Sequence, residues 1–97
     1  MKRKKKIFII GSLTRETFIK VLADKLSLTG EFDVKYVRKQ PNKSFDVLVN
    51  EAFQNILDAD EIIAVKKADG TLGRGTVYEM KFAEFNKKPV RIFEEKQ

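Results

Sequence analysis

The 97-residue sequence predicts a doubly wound α/β domain built on a four-stranded parallel sheet. Three observations carry that expectation. Two short runs, Ile7-Phe8-Ile9-Ile10 and Ile62-Ile63-Ala64-Val65, have the continuous hydrophobicity of strands buried on both faces. Longer segments with apolar residues at helical spacing separate the short runs, so strands and helices alternate. Glycines follow both runs, Gly11 after the first and Gly70, Gly73 and Gly75 after the second. Turns of this kind open onto helices at the carboxyl edge of a sheet.

The first strand is expected over 6–11 and takes the centre of the sheet, since neither of its faces reads as polar. The following turn, Gly11-Ser12-Leu13-Thr14-Arg15-Glu16, leads into a helix over 13–28. Ser12 or Thr14 is available as its N-cap, and Glu16 lies in the first turn. Phe18, Ile19, Leu22 and Leu26 form its buried stripe, and Gly30 ends it. Phe32, Val34 and Tyr36 alternate with Asp33, Lys35 and Val37, giving an edge strand over 32–38. Ser44 then caps a helix over 45–58. The apolar face of that helix, including Leu48, Ala52, Phe53 and Ile56, is expected to pack against the sheet. A strand over 61–66, a helix over 74–87 and a strand over 89–93 complete the chain. Strict alternation implies right-handed crossovers and a parallel sheet, and the expected strand order is 2-1-3-4, a flavodoxin-like three-layer fold. In that order the loops 11–15 and 69–76 face one crevice at the switch point between the first and third strands.

Composition narrows the chemistry. The formal charge of +6 comes from 20 basic and 14 acidic residues, but Lys2, Arg3, Lys4, Lys5 and Lys6 stand together at the start. Setting those five aside leaves 15 basic residues against 14 acidic. The expected organisation is therefore a basic N-terminal tail, 1–6, and a single domain, 7–97. Nucleic-acid contact is expected only as non-specific binding by the tail, with Lys35, Arg38 and Lys39 the sole further contributors. The chain has no cysteine and no histidine, which excludes thiol and imidazole catalysis, disulfides and the usual zinc sites. No metal and no cofactor is expected. No apolar run approaches the roughly 20 residues that span a bilayer, and the run at 7–10 is too short for a secretory core. The expected setting is cytoplasmic, with no membrane contact.

Glu79 is the candidate functional carboxylate. It follows the glycine loop by about one helical turn and has apolar neighbours in Val77 and Met80. Spacing alone leaves two positions open for it, the crevice or the water between those neighbours. Two glycine- and hydroxyl-rich loops that both start helices suit a polar ligand bearing a sugar or phosphate. The pattern is not a dinucleotide fingerprint, because its glycines run in the wrong order, and it is not a P-loop, because no Gly-Lys-Ser/Thr follows.

Three blocks in order, Ile7-Phe8-Ile9-Ile10-Gly11-Ser12-Leu13 with Arg15, Ala59-Asp60-Glu61-Ile62-Ile63-Ala64-Val65, and Gly75-Thr76-Val77-Tyr78-Glu79-Met80-Lys81-Phe82-Ala83 with Asn86-Lys87-Lys88-Pro89-Val90, span nearly the whole chain. Together they resemble the nucleoside 2-deoxyribosyltransferases and the related deoxynucleoside monophosphate N-glycosidases. The resemblance implies that Glu79 is a nucleophile attacking the anomeric carbon of a deoxyribosyl group, as in a retaining glycosidase. It implies substrate contacts from Gly11, Ser12, Arg15, Gly73, Gly75 and Tyr78, with a nucleoside or nucleotide as the small-molecule partner. Glu79 must be ionised for that role, and its helix N-terminus and Arg15 are expected to favour the charged form.

Two positions depart from the family pattern. An aspartate usual seven residues before the Ala-Asp pair is replaced by Ala52, and Gly73 stands where an acid or serine is usual. Glu51 is adjacent to Ala52 but about 100° away around a helix. A catalytically inactive nucleotide-binding relative is the alternative reading. The wide apolar spread of the last helix, together with the resemblance, implies a homo-oligomer, a dimer or larger.

Overall fold

Four strands form one all-parallel sheet in the order β2-β1-β3-β4: β1 (Lys5–Gly11), β2 (Phe32–Tyr36), β3 (Glu61–Val65) and β4 (Val90–Phe93). Helices α1 (Glu16–Leu28), α2 (Phe45–Asp58) and α3 (Arg74–Phe85) connect them. This is the expected flavodoxin-like arrangement. The computed structural model describes residues 4–36, 40 and 42–93, the side chain of Phe45 excepted. Residues 1–3 of the basic start, the expected strand end at 37–38 and the pair Arg38 and Lys39 lie outside the described residues.

Alternation along β1 divides the core in two. Ile7 and Ile9 meet Ile19 and Ala23 of α1 together with Ile63 and Val65. Phe8 and Ile10 meet Ile56 and Ala59 at the end of α2, Ala83 of α3, and Ile62 and Ala64. One helix therefore covers one face and two cover the other. Ile9, Ile10, Ile56, Ile62 and Ala64 have no exposed surface. Burial of this kind stabilises by about 1.5–3 kcal/mol for each large aliphatic side chain. Gly11 pairs with Val65, so β1 and β3 finish level and open together at the carboxyl edge.

Local chemistry sets the ends of the helices. Ser12 accepts a hydrogen bond from the Thr14 amide at 3.2 Å, and the Arg15 amide donates to the Ser12 carbonyl at 2.9 Å. These bonds close a 3-10 turn (Leu13–Arg15), so α1 begins at Glu16 rather than at 13. Gly30 sits just beyond α1 at φ +74°, as the sequence predicts. Ser44 caps α2 by accepting from the Val47 amide at 3.4 Å.

The amino edge of the sheet corrects the expected tail. Lys5 and Lys6 are strand residues. The Lys5 amide donates to the Glu31 carbonyl at 3.3 Å, and the Asp60 amide donates to the Lys6 carbonyl at 2.8 Å. The Lys6 amide in turn donates to Asp60 Oδ2 at 2.8 Å. Glu61 receives Lys5 Nζ at 2.6 Å and Arg91 Nε at 3.3 Å, linking three neighbouring strands.

Candidate functional site

Gly73 starts α3 as an N-cap with no side-chain bond, followed by Arg74, Gly75 and the buried Thr76. Glu79 lies in the second turn of that helix and turns inward. Its Oε2 is buried and has no hydrogen-bond partner among the described residues. Burial pushes the carboxyl up to about 7, because removing a charge from water disfavours the ionised form. Glu79 thus presents one buried oxygen with no partner among the described residues.

The space beside it is a cavity of about 560 Å³ between the sheet, α2 and α3. Phe8, Gly11 and Leu13 supply the wall at the end of β1, and Tyr36 and Gln40 the wall beyond β2. Glu51, Ala52, Phe53 and Asn55 come from α2, with Leu48 and Val49 above them, and Gly75, Tyr78 and Glu79 come from α3. Its size falls within the range of small-molecule sites, and its walls are mostly apolar with few polar groups. The Phe53 ring stacks on Phe82 with centroids 4.1 Å apart and faces Tyr78 at 6.2 Å. That row of rings carries aromatic surface from the core to the rim.

Of the residues singled out in the sequence, Gly11, Gly75, Tyr78 and Glu79 share this cavity; Ser12, Arg15 and Gly73 are not among its walls. The Ser12 hydroxyl is hydrogen-bonded to that of Thr14 at 2.8 Å. The Arg15 guanidinium lies over the Phe18 ring, 4.3 Å from its centroid, turned toward α1. Gly73 stands beside the Lys67 side chain, at 3.5 Å from a built Cβ. The expectation that Arg15 and the helix N-terminus keep Glu79 charged is therefore corrected: desolvation raises its carboxyl, and among the described residues no cation offsets the shift.

As expected, α2 packs against the sheet through Ile56, with Ala52 and Phe53 beside it; its Leu48 and Val49 are only partly buried and face the cavity. Glu51, 100° from Ala52 by helical geometry, lines the same cavity as Ala52 because the space wraps around the helix. Its Oε1 is bound by Lys43 Nζ, and its Oε2 accepts from Gln40 Nε2 at 3.3 Å. The Lys43 hydrogen bond holds this carboxyl below its ordinary range. Tyr36, Gln40, Glu51 and Asn55 are the polar wall residues that pattern reasoning did not select. The one available signal was a glutamate on α2 directly before Ala52, eight residues beyond a lysine.

No protein-family model and no curated protein matches the chain. Among solved structures it resembles a 2-desoxiribosyltransferase from Leishmania mexicana, with a TM-score of 0.68 and 21% sequence identity over 92% of this chain. What the two proteins share is the fold. The chain spans 63% of the length of that transferase. Among the described residues, no helix is long and apolar enough to cross a membrane.

Proposed function

We propose that the chain is a deoxyribosyltransferase-like protein that cleaves or transfers the N-glycosidic bond of a nucleoside or nucleotide, with Glu79 as nucleophile. The Glu79 carboxyl on the wall of a cavity of about 560 Å³ at the carboxyl edge of β1, its Oε2 buried with no partner among the described residues, carries this reading. The fold it shares with a 2-desoxiribosyltransferase and the three sequence blocks support it. A sugar seated between Gly11, Gly75 and Glu79 would bring its anomeric carbon to the carboxylate, and the base would rest on Tyr78 and Phe53. Attack then gives a glycosyl ester, which water or a second base resolves. The reading extends to a single deoxyribosyltransferase-like domain acting in the cytoplasm as a homo-oligomer, with the exposed Tyr78 and Phe85 of α3 available to a second copy.

The test is release of free base from a panel of deoxynucleosides and their monophosphates. Release is expected from the natural chain and none from Glu79→Gln, together with a deoxyribosyl adduct on the peptide containing Glu79. Equal release by both proteins would remove the nucleophile assignment. The second reading, an inactive nucleotide-binding relative, draws on Ala52 and on the engagement of Glu51 by Lys43 and Gln40, which leave no unengaged acid among the described α2 residues that line the cavity. Ligand binding without base release would select it.

A further inference from the structure

The walls of the cavity raise a question that the nucleophile alone does not answer, namely how the base leaves. A neutral nucleobase departs from an anomeric carbon with difficulty unless an acid protonates it, and such an acid typically contributes roughly 100- to 10,000-fold. Among the described residues, the acids lining this cavity are Glu51 and Glu79. Glu51 is held in its ionised form by Lys43 and Gln40, with both oxygens engaged. Glu79 is the attacking group and cannot donate while it attacks. Gln40 and Asn55 carry amides, and Tyr36 and Tyr78 carry phenols, which as a class are far weaker acids than a carboxyl group.

The same walls are unusual in charge. Two carboxyl groups and four aromatic rings, those of Phe8, Tyr36, Phe53 and Tyr78, border the cavity, and among the described residues no lysine or arginine does. An anionic substrate would meet no counter-ion among the described wall residues. A cation on a flat heterocycle would meet ring faces and a fixed carboxylate.

We propose, resting on the function assigned above, that the substrates are nucleosides whose base already carries a positive charge, such as an N-alkylated purine or a pyridinium. For these the missing acid does not matter. A Glu79 oxygen forms a bond to the anomeric carbon, the carbon–nitrogen bond breaks, and its electron pair returns to the ring nitrogen and cancels the positive charge. The base leaves neutral with no proton transferred. Water then attacks the anomeric carbon of the ester, giving free sugar, the Glu79 carboxylate and one proton released to solvent. A cation in the cavity also favours the charged form of Glu79, so the substrate helps to ionise its own nucleophile.

The experiment compares 7-methyl-2′-deoxyguanosine with 2′-deoxyguanosine on the full chain, following free base by chromatography. Each rate is corrected for loss in the presence of Glu79→Gln, which keeps the cavity and removes the nucleophile. The methylated nucleoside, tested at mildly acidic pH where its base is cationic, should be cleaved at least about 100-fold more efficiently in kcat/KM, the lower end of what an acid would supply. A smaller ratio, with base released from both, overturns the proposal and leaves the glycosidic function standing. Release from neither substrate removes the function and the proposal together.

Discussion

At Glu79, one proton links stability to activity. Its carboxyl rises from an ordinary value of 4.5 to about 7 in the folded protein through desolvation. Between these values the folded chain keeps a proton that the unfolded chain has released, so stability falls as pH rises through the window. The full effect is on the order of 3 kcal/mol. Glu79→Gln has no such titration. Urea midpoints measured from about pH 5 to about pH 8 should fall for the natural chain and fall less for the variant, by an amount of that order. Parallel curves would show that Glu79 does not titrate there. Base release should move the other way, rising with pH through about 7 as the nucleophile ionises. Gly11 is a different kind of constraint. A Cβ built there lies 2.9 Å from Ile19 Cδ1 and 3.2 Å from the Val65 carbonyl oxygen. Gly11→Ala should therefore destabilise by about 1–3 kcal/mol through overpacking. An unchanged thermal midpoint would mean that α1 moves aside freely.

Among the elements, α3 ends two residues earlier than its sequence pattern, and the reason is a lysine in a glycine's place. Lys87 adopts φ +59°; its amide donates to the Glu84 carbonyl at 2.9 Å, and the Lys88 amide donates to the Ala83 carbonyl at 2.9 Å. This is a Schellman closure, normally built on glycine. Lys87→Gly should raise stability by about 1 kcal/mol by relieving a left-handed side-chain conformation. A loss would show that Lys87 makes a compensating contact. The case illustrates what was legible in the sequence. Elements defined by apolar runs, such as β1 and β3, and ends marked by Ser44 or Gly30, could be read directly because their cause is local. Lys87 carries no such mark. Glu79 could be selected from its neighbours on α3, but the wall that buries it belongs to α2, more than twenty positions away. The state of Glu51 depends on Lys43 and Gln40 closing over it from the preceding loop. The Arg15 guanidinium over the Phe18 ring, three residues along the same turn, is a contact that the loop motif did not indicate.

For the molecule as a whole, charge and fold meet at the amino edge of the sheet. Lys5 and Lys6 share a row with Asp58, Asp60 and Glu61, and Lys6 Nζ lies 3.2 Å from Asp58 Oδ1. Exposed ion pairs of this kind contribute about 0–1 kcal/mol each, so the backbone bonds to Glu31 and Asp60 matter more. Two truncations separate the contributions. A chain starting at Lys5 keeps those bonds and loses Lys2, Arg3 and Lys4. A chain starting at Ile7 loses the bonds as well. The first should unfold with the natural chain, whereas the second should be less stable by about 2–4 kcal/mol, the sum expected for three backbone hydrogen bonds. Binding to a polyanion such as heparin should already be weak in the first, its logarithmic salt slope reduced by about three, one for each cation removed. A Lys5-starting chain that still binds DNA with a steep salt slope would place the binding surface on the folded body. An Ile7-starting chain as stable as the natural one would return the first two strand residues to the tail.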